Sequence, residues 1–212
     1  WDCDPDANQA WDIQTGSFSV VLAVLDTGID LGHPEFAGRM LSGWDFVNED
    51  GNPSDDHGHG TSCAGIAAAR GNNGIGVAGV AWGVRILPVK VLNSVNSGNN
   101  TDLAGGIVYA TDFGADIISM SLGSSSNAQL VYDAVRSAFN LDCTIFAATG
   151  NANANVIDYP ARWSEVIAVG ALSPCNERKN PSSCDGEGGW GSNYGSNIDL
   201  MAPGVRIHTT DI

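Results

Sequence analysis

A carboxylate and an imidazole stand where they could act as a pair. Asp26 ends the apolar run SVVLAVLD, and His59 lies in DDHGHGTSCAG at the predicted start of a helix. A carboxylate at the end of an apolar strand is costly to bury unless it has a partner, and His59 is the obvious candidate. Because a carboxylate that orients an imidazole is the base half of a nucleophilic triad, these two residues predict nucleophilic catalysis.

Short runs rich in β-branched residues predict the strands that carry such a site. They cover residues 19–26, 85–91, 116–121, 144–148 and 166–171. The runs are almost continuously apolar, as expected when both faces of a parallel sheet are covered. Helical patterns over 61–69, 102–113 and 127–140 alternate with them, which is typical of βαβ units with right-handed crossovers. We therefore expect one α/β domain over residues 1–212, with a doubly wound, mostly parallel sheet and helices on both faces.

Two further segments are predicted to lie at the same edge of the sheet as Asp26. Ser121-Leu122-Gly123 ends the third predicted strand, and Gly150-Asn151 follows the fourth. In an open α/β sheet, functional groups collect beyond the carboxyl ends of the strands. These segments are therefore candidates for the same site.

The charge balance excludes several classes of function. The 212 residues include 24 acidic and 9 basic side chains, with a formal net charge of −15. Such a surface cannot neutralise a nucleic-acid backbone or dock on anionic lipid. No apolar stretch approaches the roughly 18 residues of a membrane span. We therefore expect no nucleic-acid or membrane partner, and the acidic, small-polar composition favours a secreted, extracellular protein.

The cysteine spacing excludes a structural zinc site and suggests one disulfide. Cys3, Cys63, Cys143, Cys175 and Cys184 form no C-x-x-C motif and show no zinc-ligand spacing with histidine. Cys175 and Cys184 bracket a polar loop that a disulfide could close, although two free thiols in a reducing cell remain the alternative. The odd count leaves at least one thiol unpaired, for which Cys63, with apolar neighbours, is the candidate.

Six motifs in order give the chain a family resemblance. They are VLDTGIDLGHPEF, HGHGTSCAGIAA, NNGIGVAGVA, SMSLG, AATGN and LMAPGV. Over about residues 9–210 the chain resembles the subtilisin-like serine proteases, or subtilases, which implies a serine endopeptidase of subtilisin-like fold. The resemblance implies Asp26 as the triad carboxylate, His59 as general base and then acid, and Asn151 as a donor to the oxyanion. Cys63, four residues after His59, would be a thiol beneath the imidazole that takes no part in the chemistry.

The resemblance also implies how a protein or peptide substrate is held. Backbone edges at Ser97-Gly98 and at Ser121-Leu122-Gly123 would flank an extended substrate and add it as a strand. No acidic residue is obviously placed to receive Arg or Lys, and Gly123-Ser124 suggests room for a large apolar side chain. A propeptide or inhibitor is expected as a further partner, and the protein is expected to be a monomer.

Structural Ca²⁺ is the cofactor that the resemblance implies. Glu35 and Asn73, with carbonyls of the 72–77 loop, match the positions of the family's strong site, where Asp is more usual than Glu35. Oxygen ligands from a carboxylate and a Gly-rich loop suit this ion. Asp45 and Asp50 are the best ligands of a second cluster, for which a merely solvated acidic loop is the alternative.

The family's nucleophile is not placed among these residues. The order Asp, His, Ser is that of subtilisin, and the serine of the family lies in a G-T-S-M-A-type motif downstream of A-P-G. Here A-P-G is Ala202-Pro203-Gly204 and the sequence stops at Ile212, while Ser62 belongs to the histidine motif. We therefore expect the serine to lie beyond Ile212, the C-terminal part of the domain to be missing, and this chain alone to be inactive.

Other interpretations remain for the same motifs. A non-catalytic subtilase relative could bind peptides along the same groove, although a base and an oxyanion donor together argue against it. Asp26-Thr27-Gly28 matches the D-T-G of aspartic proteases, which need two carboxylates, and no second D-T-G or D-S-G occurs. The 74–79 segment satisfies G-x-G-x-x-G but follows a helical pattern and not a strand, so the dinucleotide-binding context is missing.

Overall fold

The computed structural model describes residues 7–212, so Cys3 lies outside the described residues. The strands are β1 (Val21–Asp26), β2 (Trp44–Asp45), β3 (Arg85–Lys90), β4 (Ile117–Met120), β5 (Thr144–Ala148), β6 (Ile167–Leu172) and β7 (Leu200–Pro203). The α-helices are α1 (Ala7–Trp11), α2 (His59–Ala68), α3 (Asn100–Asp112) and α4 (Gln129–Asn140). A 3₁₀ turn covers Pro34–Phe36.

These strands form one sheet in the order β2-β3-β1-β4-β5-β6-β7. All of its neighbouring strands pair in parallel. β2 and β3 lie on one side of β1, and β4 to β7 follow in order on its other side. This reversal makes the sheet doubly wound and confirms the predicted fold class.

Alternate residues of β1 feed two cores on opposite faces of the sheet. Val21, Ala23 and Leu25 pack in a core with buried residues of α3 and α4. Leu22 and Val24 pack in a second core with buried alanines of α2. All six residues of β1 are buried, which explains the unbroken apolar run before its last residue, Asp26.

The five predicted strands are all present, and two strands were not predicted. β2 has two residues and β7 reads LMAP, so neither carries a β-branched run. α2 begins at His59, two residues before the predicted start. In the described part of the chain, no helix is both long and apolar enough to cross a membrane.

One of the two cysteine interpretations is confirmed. Cys175 and Cys184 form a disulfide in the connection between β6 and β7. Cys63 is a free thiol, as predicted, and so is the buried Cys143.

Candidate active site

β1 and α2 bring Asp26 and His59 together at the carboxyl edge of the sheet. Asp26 is the last residue of β1 and is 1% exposed, while His59 is the first residue of α2. His59 Nδ1 lies 2.6 Å from Asp26 Oδ1. The hydrogen bond with Asp26, followed by that with Cys63 (Sγ to Nδ1, 3.9 Å), outweighs burial and raises the pKa of His59 to about 10.

The second nitrogen of the imidazole, Nε2, makes no hydrogen bond within residues 7–212. The His59 side chain is 33% exposed. Its hydrogen bonds within residues 7–212 are made by Nδ1, to Asp26 and Cys63. Above the pKa of His59 the ring is neutral, and with its proton on Nδ1 it leaves Nε2 as an available base.

The carboxylate of Asp55 ties the turn after Asp26 to the first turn of α2. It accepts hydrogen bonds from Thr27 Oγ1 at 2.8 Å, from Thr61 Oγ1 at 2.6 Å, and from backbone N–H groups at the start of α2, including those of Gly58 and Thr61. Burial raises the pKa of Asp55, but the hydrogen bonds from Thr61 and the backbone outweigh burial and lower it. Asp55 thus fixes the position of the imidazole relative to its carboxylate partner.

The two predicted substrate edges line the same groove. Residues 96–100 and residues 121–124 line an open groove of about 390 Å³, which also contacts Tyr159 and Trp163. Ser97-Gly98 and Ser121-Leu122-Gly123 are therefore brought together, as an extended peptide between them would require.

Asn151 lies at the rim of the sheet, in a loop that a buried amide holds. The loop begins at Gly150, whose φ of +101° suits glycine. Asn193, 1% exposed, accepts hydrogen bonds from the N–H groups of Ala152 and Ala154 at 3.0 and 3.1 Å. The amide of Asn193 also donates to the carbonyl of Thr149 at 3.1 Å. The exposed side chain of Asn151 is thus carried by a rigidly bonded turn.

Comparison with known proteins decides the family. The family model described as "Subtilase family" matches residues 18–211, nearly the whole chain. The chain belongs to the subtilase family. The resemblance inferred from the six motifs is confirmed.

Individual relatives agree with this assignment. Thermitase from Thermoactinomyces vulgaris is 44% identical over 96% of the chain, and the match covers 69% of thermitase. The thermophilic serine proteinase of Bacillus sp. (strain AK1) is 41% identical over 95% of the chain and 48% of that protein. The crystal structure of a cold adapted subtilisin-like serine proteinase superposes with a TM-score of 0.81 at 32% identity, covering 94% of this chain and 67% of that one. The chain thus spans between about half and about two thirds of the length of these subtilases.

The loop beside Glu35 fits a hard cation in this subtilase. Glu35 is 1% exposed, and its carboxylate accepts hydrogen bonds from Asn73 Nδ2 at 2.8 Å and from the Val77 N–H at 3.1 Å. None of the ion pairs formed among residues 7–212 involves Glu35. A Cβ on Gly76 would lie 2.1 Å from Glu35 Oε1, so the loop closes tightly over the carboxylate. A buried carboxylate under a Gly-rich loop fits Ca²⁺.

The second predicted calcium cluster is bonded within its own loop. Asp45 accepts hydrogen bonds from the N–H groups of Val47 and Asn48 and from the Asn48 amide. Asp50 accepts one from the N–H of Asn52. These bonds hold the 45–52 loop around the two carboxylates.

Three residues of the site were not predicted from the sequence. Asp55 carried a usable signal, since an acid shortly before a helix can bond its first N–H groups. The sequence carries no such signal for Asn193 or Asp158, because the residues that they contact belong to other segments of the chain. Asn193 bonds to the N–H of Ala152, and Asp158 lies beside Gly150.

Proposed function

We propose that this subtilase chain supplies the acid–base half of a serine endopeptidase site, which hydrolyses peptide bonds by acyl transfer. The observation that carries this proposal is the 2.6 Å contact between His59 Nδ1 and Asp26 Oδ1, with the imidazole partly exposed at the rim of a groove. The protease names of the relatives support the same reaction class.

Each residue has a defined role in that reaction. Nε2 of His59 takes the proton of the serine hydroxyl as the serine oxygen bonds to the peptide carbonyl carbon. The Asn151 amide donates to the oxyanion of the tetrahedral intermediate. When the C–N bond breaks, Nε2 returns the proton to the leaving amine, and Asp26 stabilises the imidazolium between the two steps. Water then repeats the sequence on the acyl-enzyme.

The attacking serine is proposed to lie outside residues 1–212. Ser62, the serine of the G-T-S sequence, donates its hydroxyl proton to the carbonyl of Thr210 at 3.0 Å, away from His59 Nε2. Among residues 7–212, His59 forms no hydrogen bond with a serine hydroxyl. Residues 1–212 by themselves are therefore expected to bind peptides in the groove without cleaving them.

A structural Ca²⁺ ion is proposed at Glu35, with Asn73 turned so that its Oδ1 faces the ion and with carbonyls of the 72–77 loop. A bound ion would neutralise the buried carboxylate and hold the loop. The disulfide and the acidic surface support a secreted, extracellular protein. It is further proposed to be a monomer that acts on protein or peptide substrates, with a propeptide or inhibitor as an additional partner.

Labelling with a serine-directed phosphonate tests the proposal. The complete natural protein that contains residues 1–212 should hydrolyse peptides and lose that activity with the phosphonate, and His59→Ala should abolish it. Residues 1–212 alone should show neither activity nor labelling. Phosphonate-sensitive cleavage by residues 1–212 would disprove the placement of the serine. Peptide binding without cleavage by the complete protein would favour the non-catalytic alternative, and inhibition by a pepstatin-like compound would favour an aspartic protease.

A further inference from the structure

The two segments that follow β4 and β5 separate at the edge of the sheet, and the gap between them is called the slot here. These strands pair in parallel along their lengths, but their continuations turn in different directions. In the segment after β4, Ser124 exchanges two backbone hydrogen bonds with Tyr159: its N–H donates to the Tyr159 carbonyl at 2.9 Å, and its carbonyl accepts from the Tyr159 N–H at 2.8 Å. The segment after β5 pairs with Gly191 through Ala152. The two backbones therefore diverge at the carboxyl edge of the sheet, where ligands of α/β folds bind.

Asp158 lies where the chain bridges the two segments that bound this slot. Its N–H donates to the carbonyl of Thr149 at 3.0 Å, and the next residue pairs with the other segment, so the chain bridges the gap. A Cβ on Gly123 would lie 3.1 Å from Asp158 Cβ, and a Cβ on Gly150 would lie 2.2 Å from Asp158 Oδ2. The Asp158 side chain thus lies between two glycines, one on each wall.

Within the described residues, the carboxylate of Asp158 forms no ion pair. The ion pairs within residues 7–212 join His59 to Asp26, Lys90 to Asp56 and Lys179 to Asp185, and none includes this residue. In the part of the chain that the structure describes, its carboxylate accepts one hydrogen bond, from the side-chain amide of Asn193 at a long 3.4 Å. Partial burial raises the pKa of Asp158.

We propose that Asp158 selects substrates with Lys or Arg immediately before the scissile bond. This specificity rests on the proposed function, which places the substrate backbone along 121–123 and its reacting carbonyl at Asn151. The side chain of that substrate residue then enters the slot between Gly123 and Gly150 and reaches Asp158. An ammonium or guanidinium group forms charge-assisted hydrogen bonds with the carboxylate and compensates its burial. The structure thus places an acid where the sequence suggested a slot for large apolar side chains.

A substrate series on the complete natural protein tests this selection. Peptide anilides that differ only in the residue before the cleaved bond, with Lys, Arg, Phe or Leu there, give the ratio of kcat/KM for basic over apolar side chains. The protein should favour the basic substrates. The isosteric variant Asp158→Asn should lower the ratio by about tenfold or more. Asp112→Asn, at the exposed C-terminal end of α3, removes the same charge and should leave the ratio unchanged.

A binding measurement keeps the selection testable without turnover. Benzamidine, an aromatic cation, should shift the amide resonances of Gly123 and Gly150 saturably when it is added to residues 1–212. Asp158→Asn should abolish these shifts. Neutral benzyl alcohol should bind equally weakly to the wild type and to the variant. A preference for Phe or Leu, an unchanged ratio in Asp158→Asn, or no saturable benzamidine shift would each overturn the assignment. If the complete protein cleaves no peptide, the proposed function fails, and the benzamidine measurement alone decides the role of Asp158.

Discussion

Replacement of Asp55 by alanine should destabilise the protein strongly, although the residue is only half-buried. The carboxylate accepts hydrogen bonds from three donors on two fully buried residues, namely the hydroxyl of Thr27 and both the hydroxyl and N–H of Thr61. Each buried donor that loses its acceptor costs about 1 kcal/mol or more. We therefore expect Asp55→Ala to lower the free energy of unfolding by about 3 kcal/mol.

Urea unfolding at neutral pH measures this loss. The matched control is Asp133→Ala on α4, where the exposed carboxylate accepts one hydrogen bond from Gln129, and the loss should be within about 0.5 kcal/mol. The lowered pKa of Asp55 gives the effect a pH dependence. Because the folded pKa lies below the unfolded one, the stabilisation is present above the unfolded pKa and disappears as the pH falls through the folded pKa.

The same variant should loosen the catalytic pair. Thr27 follows Asp26 directly, and its Oγ1 accepts the Gly60 N–H at 2.9 Å beside His59. Without Asp55, the low-field proton resonance of the bond between His59 and Asp26 should broaden or disappear. Equal stabilities of Asp55→Ala and Asp133→Ala, with an unchanged resonance, would refute this account of how α2 is anchored.

Three further outcomes follow from the geometry. Asp26→Asn should lower the pKa of His59 from about 10 toward its ordinary value of 6.5 in an NMR titration. Because the pKa of His59 is raised in the folded state, the pair stabilises the fold fully below the unfolded pKa, and this stabilisation is lost as the pH rises through about 10. Asp26→Asn should therefore destabilise the protein more at about pH 6 than above pH 10. A His59 pKa near 6.5 in the wild type would contradict this prediction. In urea unfolding, Gly150→Ala should destabilise the protein by about 1–3 kcal/mol more than Gly114→Ala. Both glycines have a positive φ, but a Cβ at Gly150 would lie 2.2 Å from Asp158 Oδ2, whereas a Cβ at Gly114 would meet nothing within 4 Å. Equal losses would show that the close approach of Gly150 to Asp158 is unimportant. EDTA should lower the Tm, and Glu35→Gln should remove the Ca²⁺-dependent rise in Tm; a Tm that EDTA leaves unchanged would exclude a significant calcium site.

The central strands were predictable because burial on both faces leaves a local record. β1 and β4 to β6 lie inside the sheet, so their sequences are apolar runs with few polar positions. β2 and β7 lie at its edges and are short, and their sequences resemble loops. The start of α2 was misplaced because Gly58 has a φ of +95° and makes no side-chain cap. The cap comes from Asp55 across a turn.

The pairing of Asp26 with His59 was determined by the sequence, because a carboxylate that ends a buried strand requires a partner and an imidazole opens the next predicted helix. Only the tertiary structure decided the surroundings of that pair. Asn193 acts on a loop distant in the chain, and Asp158 lies between glycines that follow two different strands. Their roles depend on how separate backbones approach each other in space, and the local sequence around each residue keeps no trace of that approach.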